Sequence, residues 1–436
     1  MPQMGHLIYA FTALLTIVLG HPSSTPDSKS QRRLPGTQKQ HDFGPLRFSP
    51  AGTFHISIFE DLHFGENAWD AWGPEQDVQS VKVIETVLDA ELDTDLVVLN
   101  GDLITGDNAF LENSTDYVDQ IVRPLARRGL TWASTYGNHD NHFNISAAHI
   151  LAREKQWPNS RTTQMVSELD PDTGVSNYYL PVYAADCDPD MASAAAPPCA
   201  PKLLLWFFDS RGGFAYQQRD PTTNNLIGLP NWVDARVAQW FTQTNAELVH
   251  TAGGKAIPSL AFVHIPTNAS RALQARGVDP HRQPGIDDDR PLARQAQGWC
   301  PDGTNDVSCE YGGQDAPFMR AVATTPGLMA LFSGHDHGDT WCYKWNEFTP
   351  EGGVDVEGNG VNLCFGQRSG YGGYGSWIRG ARQVVVSLTG LEERAVETYI
   401  RLESGEVVGA VTLNGTYGED LYPATPNDKT KLPSAD

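Results

Sequence analysis

In Phe54-His55-Ile56-Ser57-Ile58-Phe59, apolar and other residues alternate as in a strand, and the run leads directly into Asp61-Leu62-His63-Phe64-Gly65. The same arrangement returns twice. Asp95-Leu96-Val97-Val98-Leu99-Asn100 is a short apolar run, the signature of a buried strand, and it ends at Gly101-Asp102. Leu130-Thr131-Trp132-Ala133-Ser134-Thr135-Tyr136 then feeds into Gly137-Asn138-His139-Asp140. Between these runs, Val78, Val81, Ile84 and Leu88 fall at helical spacing within Pro74 to Leu92, and a second helix is predicted near Tyr117 to Arg128. Strand, polar site residues and helix, three times over, predict an α/β sandwich that carries its functional groups at strand ends.

Further core strands are expected at Leu203–Phe208, Ser259–Val263 and Leu328–Phe332, with a helix near Val233 to Thr242. Two of those strands stop at histidines: His264, and the run Gly334-His335-Asp336-His337. The spans Asp186 to Pro201 and Pro280 to Gly313, rich in Pro, Gly or Asp, are expected to be surface loops. No internal repeat is visible.

The chain has 436 residues, of which 40% are hydrophobic and 19% charged, a globular balance. Its formal net charge of −22 argues against a nucleic-acid partner, because phosphate-backbone affinity depends on Lys and Arg. An anionic substrate then needs a local source of positive charge, for which bound metal ions are the natural candidate. Leu7 to Leu19 is apolar except for Thr12 and Thr16, too short to span a bilayer, and Gly20 follows it. Residues 1–20 therefore look like a signal peptide, 21–43 like a flexible leader, 44–416 like a catalytic domain, and 417–436 like a loose tail. No other segment is apolar enough to cross a membrane.

Six cysteines suit a secreted or vacuolar chain, and they fall into near neighbours: Cys187 with Cys199, Cys300 with Cys309, Cys342 with Cys364. Fifteen connectivities are open; Cys342–Cys364, which flanks a loop directly after the Gly-His-Asp-His run, is the pairing expected here. Sequons at Asn113, Asn144, Asn268 and Asn414 are compatible with glycosylation.

Each short motif alone is weak, since Asp-x-His, Gly-Asp and His-x-His arise often by chance. Together they are informative: five of the 13 histidines occupy four short segments placed after predicted core strands. The set Asp61-x-His63, Gly101-Asp102, Gly137-Asn138-His139-Asp140, His264 in Val-His-Ile-Pro and Gly334-His335-x-His337 resembles, complete and in order, the calcineurin-like metallophosphoesterase family. Beyond it, Cys342 to Cys364 and Gly370-Tyr-Gly-Gly-Tyr-Gly-Ser resemble the fungal and plant branch related to purple acid phosphatases.

The resemblance implies a four-layer α/β/β/α fold and a binuclear site in which Asp102 bridges, Asp61, His63 and His337 hold one ion, and Asn138, His264 and His335 hold the other. It also implies hydrolysis of phosphate monoesters by a metal-bridging hydroxide, with His139 assisting the leaving group and Asp140 a candidate to orient it. The residue types agree with this chemistry: divalent ions that promote phosphoryl transfer take hard oxygen and imidazole ligands, and a pair about 3.5–4 Å apart needs a bridging carboxylate. Purple enzymes carry Tyr where this chain has Thr105, so a fixed ferric ion is not expected and iron, zinc or manganese are comparable candidates. Arg211, before Gly212-Gly213, is a candidate phosphate contact, and Tyr371 and Tyr374 are candidates for stacking. His142 and His149 are expected on a solvated face. A phosphodiesterase on the same metals and a non-catalytic secreted binding protein are the alternatives, the second disfavoured because no ligand is missing.

Overall fold

The computed structural model describes residues 43–166, 171–187, 199–293, 300, 309–350 and 354–432. The signal segment, and all of the leader but its last residue, lie outside these. In chain order the strands are β1 (Leu46–Arg47), β2 (Thr53–Phe59), β3 (Leu96–Asn100), β4 (Trp132–Thr135), β5 (Tyr178–Tyr183), β6 (Leu203–Phe208), β7 (Phe214–Arg219), β8 (Leu226–Gly228), β9 (Ser259–Val263), β10 (Leu328–Ser333), β11 (Cys342–Asn346), β12 (Asn359–Phe365), β13 (Gly380–Ser387), β14 (Val396–Leu402) and β15 (Val407–Leu413). The helices are α1 (Trp72–Ala90), α2 (Asp116–Arg127), α3 (Ala147–Glu154), α4 (Ala235–Thr251), α5 (Asn268–Arg276), α6 (Ala316–Thr324) and α7 (Leu388–Glu393).

Two sheets face each other. One has the order β1-β5-β6-β9-β10-β12-β11, the other β15-β14-β13-β2-β3-β4, and β7-β8 form a separate hairpin. Strand β6 shows why layers form. Its six residues, Leu-Leu-Leu-Trp-Phe-Phe, are all buried, and period-2 alternation sends Leu203, Leu205 and Phe207 to one face and Leu204, Trp206 and Phe208 to the other. The first set meets Phe54, Ile56 and Ile58 of β2 between the sheets. The second packs under Val237 and Phe241 of α4 and Phe318 and Val322 of α6. On the far side, Val97 and Leu99 of β3 pack against Ile84 of α1 and Ile121 of α2. Helix, sheet, sheet, helix is the expected four-layer sandwich, and truncating Phe207 between the sheets to Ala would cost about 3–5 kcal/mol.

Helix α1 begins two residues before the expected start, and the apolar face it buries is Val83, Ile84, Val87 and Leu88; Val78 points to solvent at 49% exposure. The expected tail is tied down over its described part. Tyr417 is buried with its hydroxyl on Cys342 O at 2.8 Å, Thr430 N–H donates to Ser376 O at 2.7 Å, and Lys429 pairs with Asp288. Three disulfides join Cys187–Cys199, Cys300–Cys309 and Cys342–Cys364, the last across directly opposed positions of β11 and β12. Among the described residues, no helix is long and apolar enough to cross a membrane.

Strands β2, β3 and β4 run parallel, as do β6, β9 and β10. Parallel pairing aligns their carboxyl ends, the place where open α/β sheets present ligand-binding groups.

Candidate metal centre

Each expected ligand stands just past a strand end. Asp61 and His63 follow β2, Asp102 follows β3, Asn138 follows β4, His264 follows β9, and His335 and His337 follow β10. The six-stranded sheet thus supplies every oxygen ligand and His63, and the seven-stranded sheet supplies three imidazoles. At Asp61, His63, Asp102 and His335 the backbone turns through positive φ, 51°, 49°, 48° and 76°. Such conformations cost about 1–3 kcal/mol each and persist where surrounding structure over-determines them. Here the ladders do so: the N–H of Asp61 donates to Gly101 O and that of His63 to Asp102 O. Gly137 is required by close approach, because a Cβ there would collide with the Asp102 carboxylate and the His264 ring.

The side chains converge into two groups. In the first, His63 Nε2 lies 3.1 Å from His337 Nε2, and His337 Nε2 lies 3.6 Å from Asp61 Oδ1. In the second, His264 Nε2 lies 3.0 Å from Asp102 Oδ2 and the His335 ring stands edge-on to that of His264. Ligand atoms of Asp61, His63 and His337 all lie within 4.8 Å of one another, as do those of Asp102, His264 and His335. Asp102 Oδ2 is also 3.7 Å from His63 Nε2, so this carboxylate faces both groups.

The donor set fits a pair of cations. All seven residues but Asn138 are nearly inaccessible to solvent, and Asn138 Oδ1 and both ring nitrogens of His335 are buried without a hydrogen-bond partner. Buried polar atoms in native proteins are normally satisfied, and an ion held by the second group would give one nitrogen of His335 its missing partner. Burial pushes His63 and His335 down to about 3, which keeps them as the neutral imidazoles that coordinate metal, and lifts Asp61 to about 7. Burial also disfavours a charged His264, but Asp102 beside it outweighs this and raises it to about 10, so loading that group with metal displaces a proton.

Three imidazoles are oriented through Nδ1, which leaves Nε2 for metal. The Nδ1–H of His264 donates to Asn100 O at 2.8 Å, that of His337 to Tyr374 O at 2.9 Å, and that of His63 points at Thr105 Oγ1 at 3.3 Å. Thr105, where a purple enzyme would have Tyr, is therefore a support for His63. Tyr374 also stacks on the His337 ring, centroids 4.1 Å apart. The loop carrying it is held by Arg368, whose guanidinium donates to Gly372 O and Gly375 O, and by Glu66, which accepts from Gly373 N–H.

His139 stays outside both groups. Its backbone N–H donates to Asp102 Oδ1 at 2.8 Å, while its ring lies 4.9 Å from that of His63 and is 40% exposed. Burial opposes its charge, but the Asp102 and Asp107 carboxylates outweigh this and raise it to about 9; Asp107 Oδ1 is 3.8 Å from its Nδ1. Asp107, not Asp140, is its partner. The Asp140 carboxylate instead accepts the N–H groups of Leu103, Ile104 and Gly137 at 2.9, 3.0 and 2.9 Å, clasping the loop that holds Asp102 to the loop that holds Asn138. Over these groups opens a cleft of about 340 Å³, whose rim includes Glu66, Thr105, Asp107, Asn108 and Tyr374 and, among the described residues, no lysine or arginine.

Other expectations are redirected. Arg211 is no phosphate contact: its guanidinium is buried and donates to Trp232 O at 2.7 Å and Asp172 O at 2.7 Å, beside Asp234. Tyr371 is packed with its hydroxyl on Glu403, and only Tyr374 reaches the cleft. His149 is exposed on α3 as expected, its backbone N–H donating to the Oγ of the N-cap Ser146, whereas His142 is half-buried against Phe214. Asn113, Asn144 and Asn414 are half-buried, whereas Asn268 is 5% exposed at the start of α5, where a glycan has no room. Asp107 and Asn108 carry no motif; they reach the cleft through the fold alone.

A model of the calcineurin-like phosphoesterase family matches residues 55–339. Among curated relatives, "Probable inactive purple acid phosphatase 29" of Arabidopsis thaliana is 24% identical over 386 residues, 82% of this chain and 84% of that protein. "Phosphatase DCR2" of Saccharomyces cerevisiae is 22% identical over 328 residues, 74% of this chain and 49% of that protein. Among solved structures, a dimetal phosphatase from Danio rerio has a TM-score of 0.45 at 12% identity, covering 83% of this chain and 98% of its own. The matched span runs through all five motifs, and the chain belongs to the calcineurin-like phosphoesterase family.

Proposed function

We propose that this protein hydrolyses phosphate monoesters, with Asp61, His63 and His337 holding one metal ion, Asn138, His264 and His335 a second, Asp102 bridging them, and His139 as the proton donor. The observation that carries the reading is His139 itself: an imidazole 40% exposed beside the bridging carboxylate, kept charged by Asp102 and Asp107 and required by neither ligand group. When bound, two ions supply charge neutralisation for the phosphoryl oxygens and a water activated near neutral pH. The chain's own residues do the rest. Asp102 and the six other ligands place the phosphoryl group at the cleft floor, oriented by Asn100, Thr105 and the Tyr374 carbonyl. The oxygen of a water forms a bond to phosphorus as the ester P–O bond breaks, and the proton on His139 passes to the departing alkoxide, giving alcohol and phosphate.

Three relatives carry names that call them probable inactive purple acid phosphatases, yet this chain keeps every ligand position. With Thr105 in place of a phenolate, manganese, zinc or ferrous iron suits the site as well as ferric iron. The three disulfides support a secretory-pathway setting. The decisive experiment measures metal content of purified protein together with turnover of simple mono- and diesters. Two ions per chain with monoester turnover is expected; protein with neither ions nor turnover would make it a binding protein on an enzyme scaffold.

A further inference from the structure

Two loops that form the cleft rim both carry exposed aromatic side chains just beyond it. Glu66 and Asn108 line the cleft, and Asn108 Oδ1 accepts the N–H of Asn67 at 2.8 Å, which clasps one loop to the other. Trp69 stands three residues past Glu66 and Phe110 two past Asn108, so each is within about 10 Å of chain from the rim. Their rings meet edge-on, centroids 6.1 Å apart, although Trp69 is 58% and Phe110 45% exposed. Leu111, next to Phe110 in the chain, is 50% exposed, and Trp72, three residues past Trp69, is 42% exposed. Apolar side chains gathered on the lip of a polar cleft mark a binding surface, unlike leucines scattered singly.

The cleft itself selects by charge. Glu66 and Asp107 sit on its rim and, among the described residues, no lysine or arginine does, so an ester carrying further anionic groups would be repelled as it left the metal centre. An uncharged, flat or apolar group would pass the same rim and cover the aromatic pair. We infer that Trp69 and Phe110 form the subsite for the alcohol portion of the substrate, and that the enzyme selects phosphate esters of uncharged aromatic or apolar alcohols. This rests on the phosphoesterase reading for the place of the phosphoryl group.

The test compares benzyl phosphate with glycerol 1-phosphate, whose leaving groups are both aliphatic alcohols, on metal-loaded protein. The native protein should favour benzyl phosphate, and in Trp69→Ala/Phe110→Ala the ratio of the two kcat/KM values should fall about tenfold. Trp69→Phe should keep most of the preference. Calorimetric titration with benzylphosphonate and methylphosphonate reads the subsite without turnover, and the double variant should lose the benzyl advantage in Kd. An unchanged ratio with an unchanged benzyl advantage overturns the proposal, as does a pair whose removal alters only sedimentation, which would make it a protein contact. If the native protein turns over no ester, the phosphoesterase reading fails while the phosphonate titration still decides the subsite.

Discussion

The two ligand groups differ in how they are held. Both imidazoles of the first group are oriented from behind, His63 by Thr105 and His337 by the Tyr374 carbonyl and the Tyr374 ring. In the second, His264 has Asn100 O, but neither nitrogen of His335 nor the oxygen of Asn138 has a partner. Hydrogen bonds behind a ligand fix its tautomer and angle before metal arrives, and their loss typically costs 10–100-fold in affinity. The second group depends more on the ion itself for its order. Its ion should therefore exchange first.

The largest effect should come from the residue that belongs to both groups. Asp102→Asn removes a negative charge from between two cations, and activity should fall on the order of 10³-fold or more, together with metal content. Mass-spectrometric metal analysis beside kcat/KM checks this; two ions and full rate would mean that Asp102 does not bridge. Next, His139→Ala should lose roughly 10²–10⁴-fold in kcat while keeping both ions, most strongly for esters of poor leaving alcohols. Loss of metal in that variant would move His139 from donor to ligand.

The comparison itself is sharpened by Thr105→Val, which removes the support behind His63. Affinity at the first group should weaken about 10–100-fold, enough to reverse the order in which a chelator strips the two ions. Native protein losing both ions together would break the asymmetry. The smallest effect is electrostatic. His139 must be protonated to donate, so the rate falls as pH rises through its pKa; Asp107→Asn withdraws one of the two charges that raise that pKa, and bound cations already offset the other. The basic limb of the kcat profile should move to lower pH by about one unit, with metals retained.

Most of the centre was readable before the fold because each ligand sits in a short motif just after an apolar strand, and strand ends are where chemistry is placed. What escaped was through-space. Asp140 is adjacent to His139 in sequence, yet its carboxylate is fully occupied by three backbone N–H groups; Asp107 reaches His139 across a loop that carries no motif. Arg211 looked like an anion clamp after its strand, but burial turned its donors onto backbone carbonyls. In the fold, β6, β9 and β10 were visible as continuous apolar runs, whereas β13 and β14 were not. Gly-Ala-Arg-Gln-Val-Val-Val-Ser carries Arg and Gln in its first half, and the buried Arg382 in it is satisfied by Phe365 O of β12, Thr398 Oγ1 of β14 and Thr340 O of the loop before β11. In β14 the alternation that buries Val396, Thr398, Ile400 and Leu402 was present but diluted by charge.

Strand β13 pairs along β2 from Arg382–Ile58 to Ser387–Thr53, so the strand that delivers Asp61 gains one of its two neighbours from residues more than 300 positions later. During synthesis at about 5–20 residues per second, β2 waits with an open edge until nearly the whole chain has emerged. Such edges are templates for unwanted pairing. Metal capture, which needs Asp61 fixed against histidines of the other sheet, is then a late event of biogenesis, and a chain interrupted before β13 is left with an aggregation problem before it has a catalytic one.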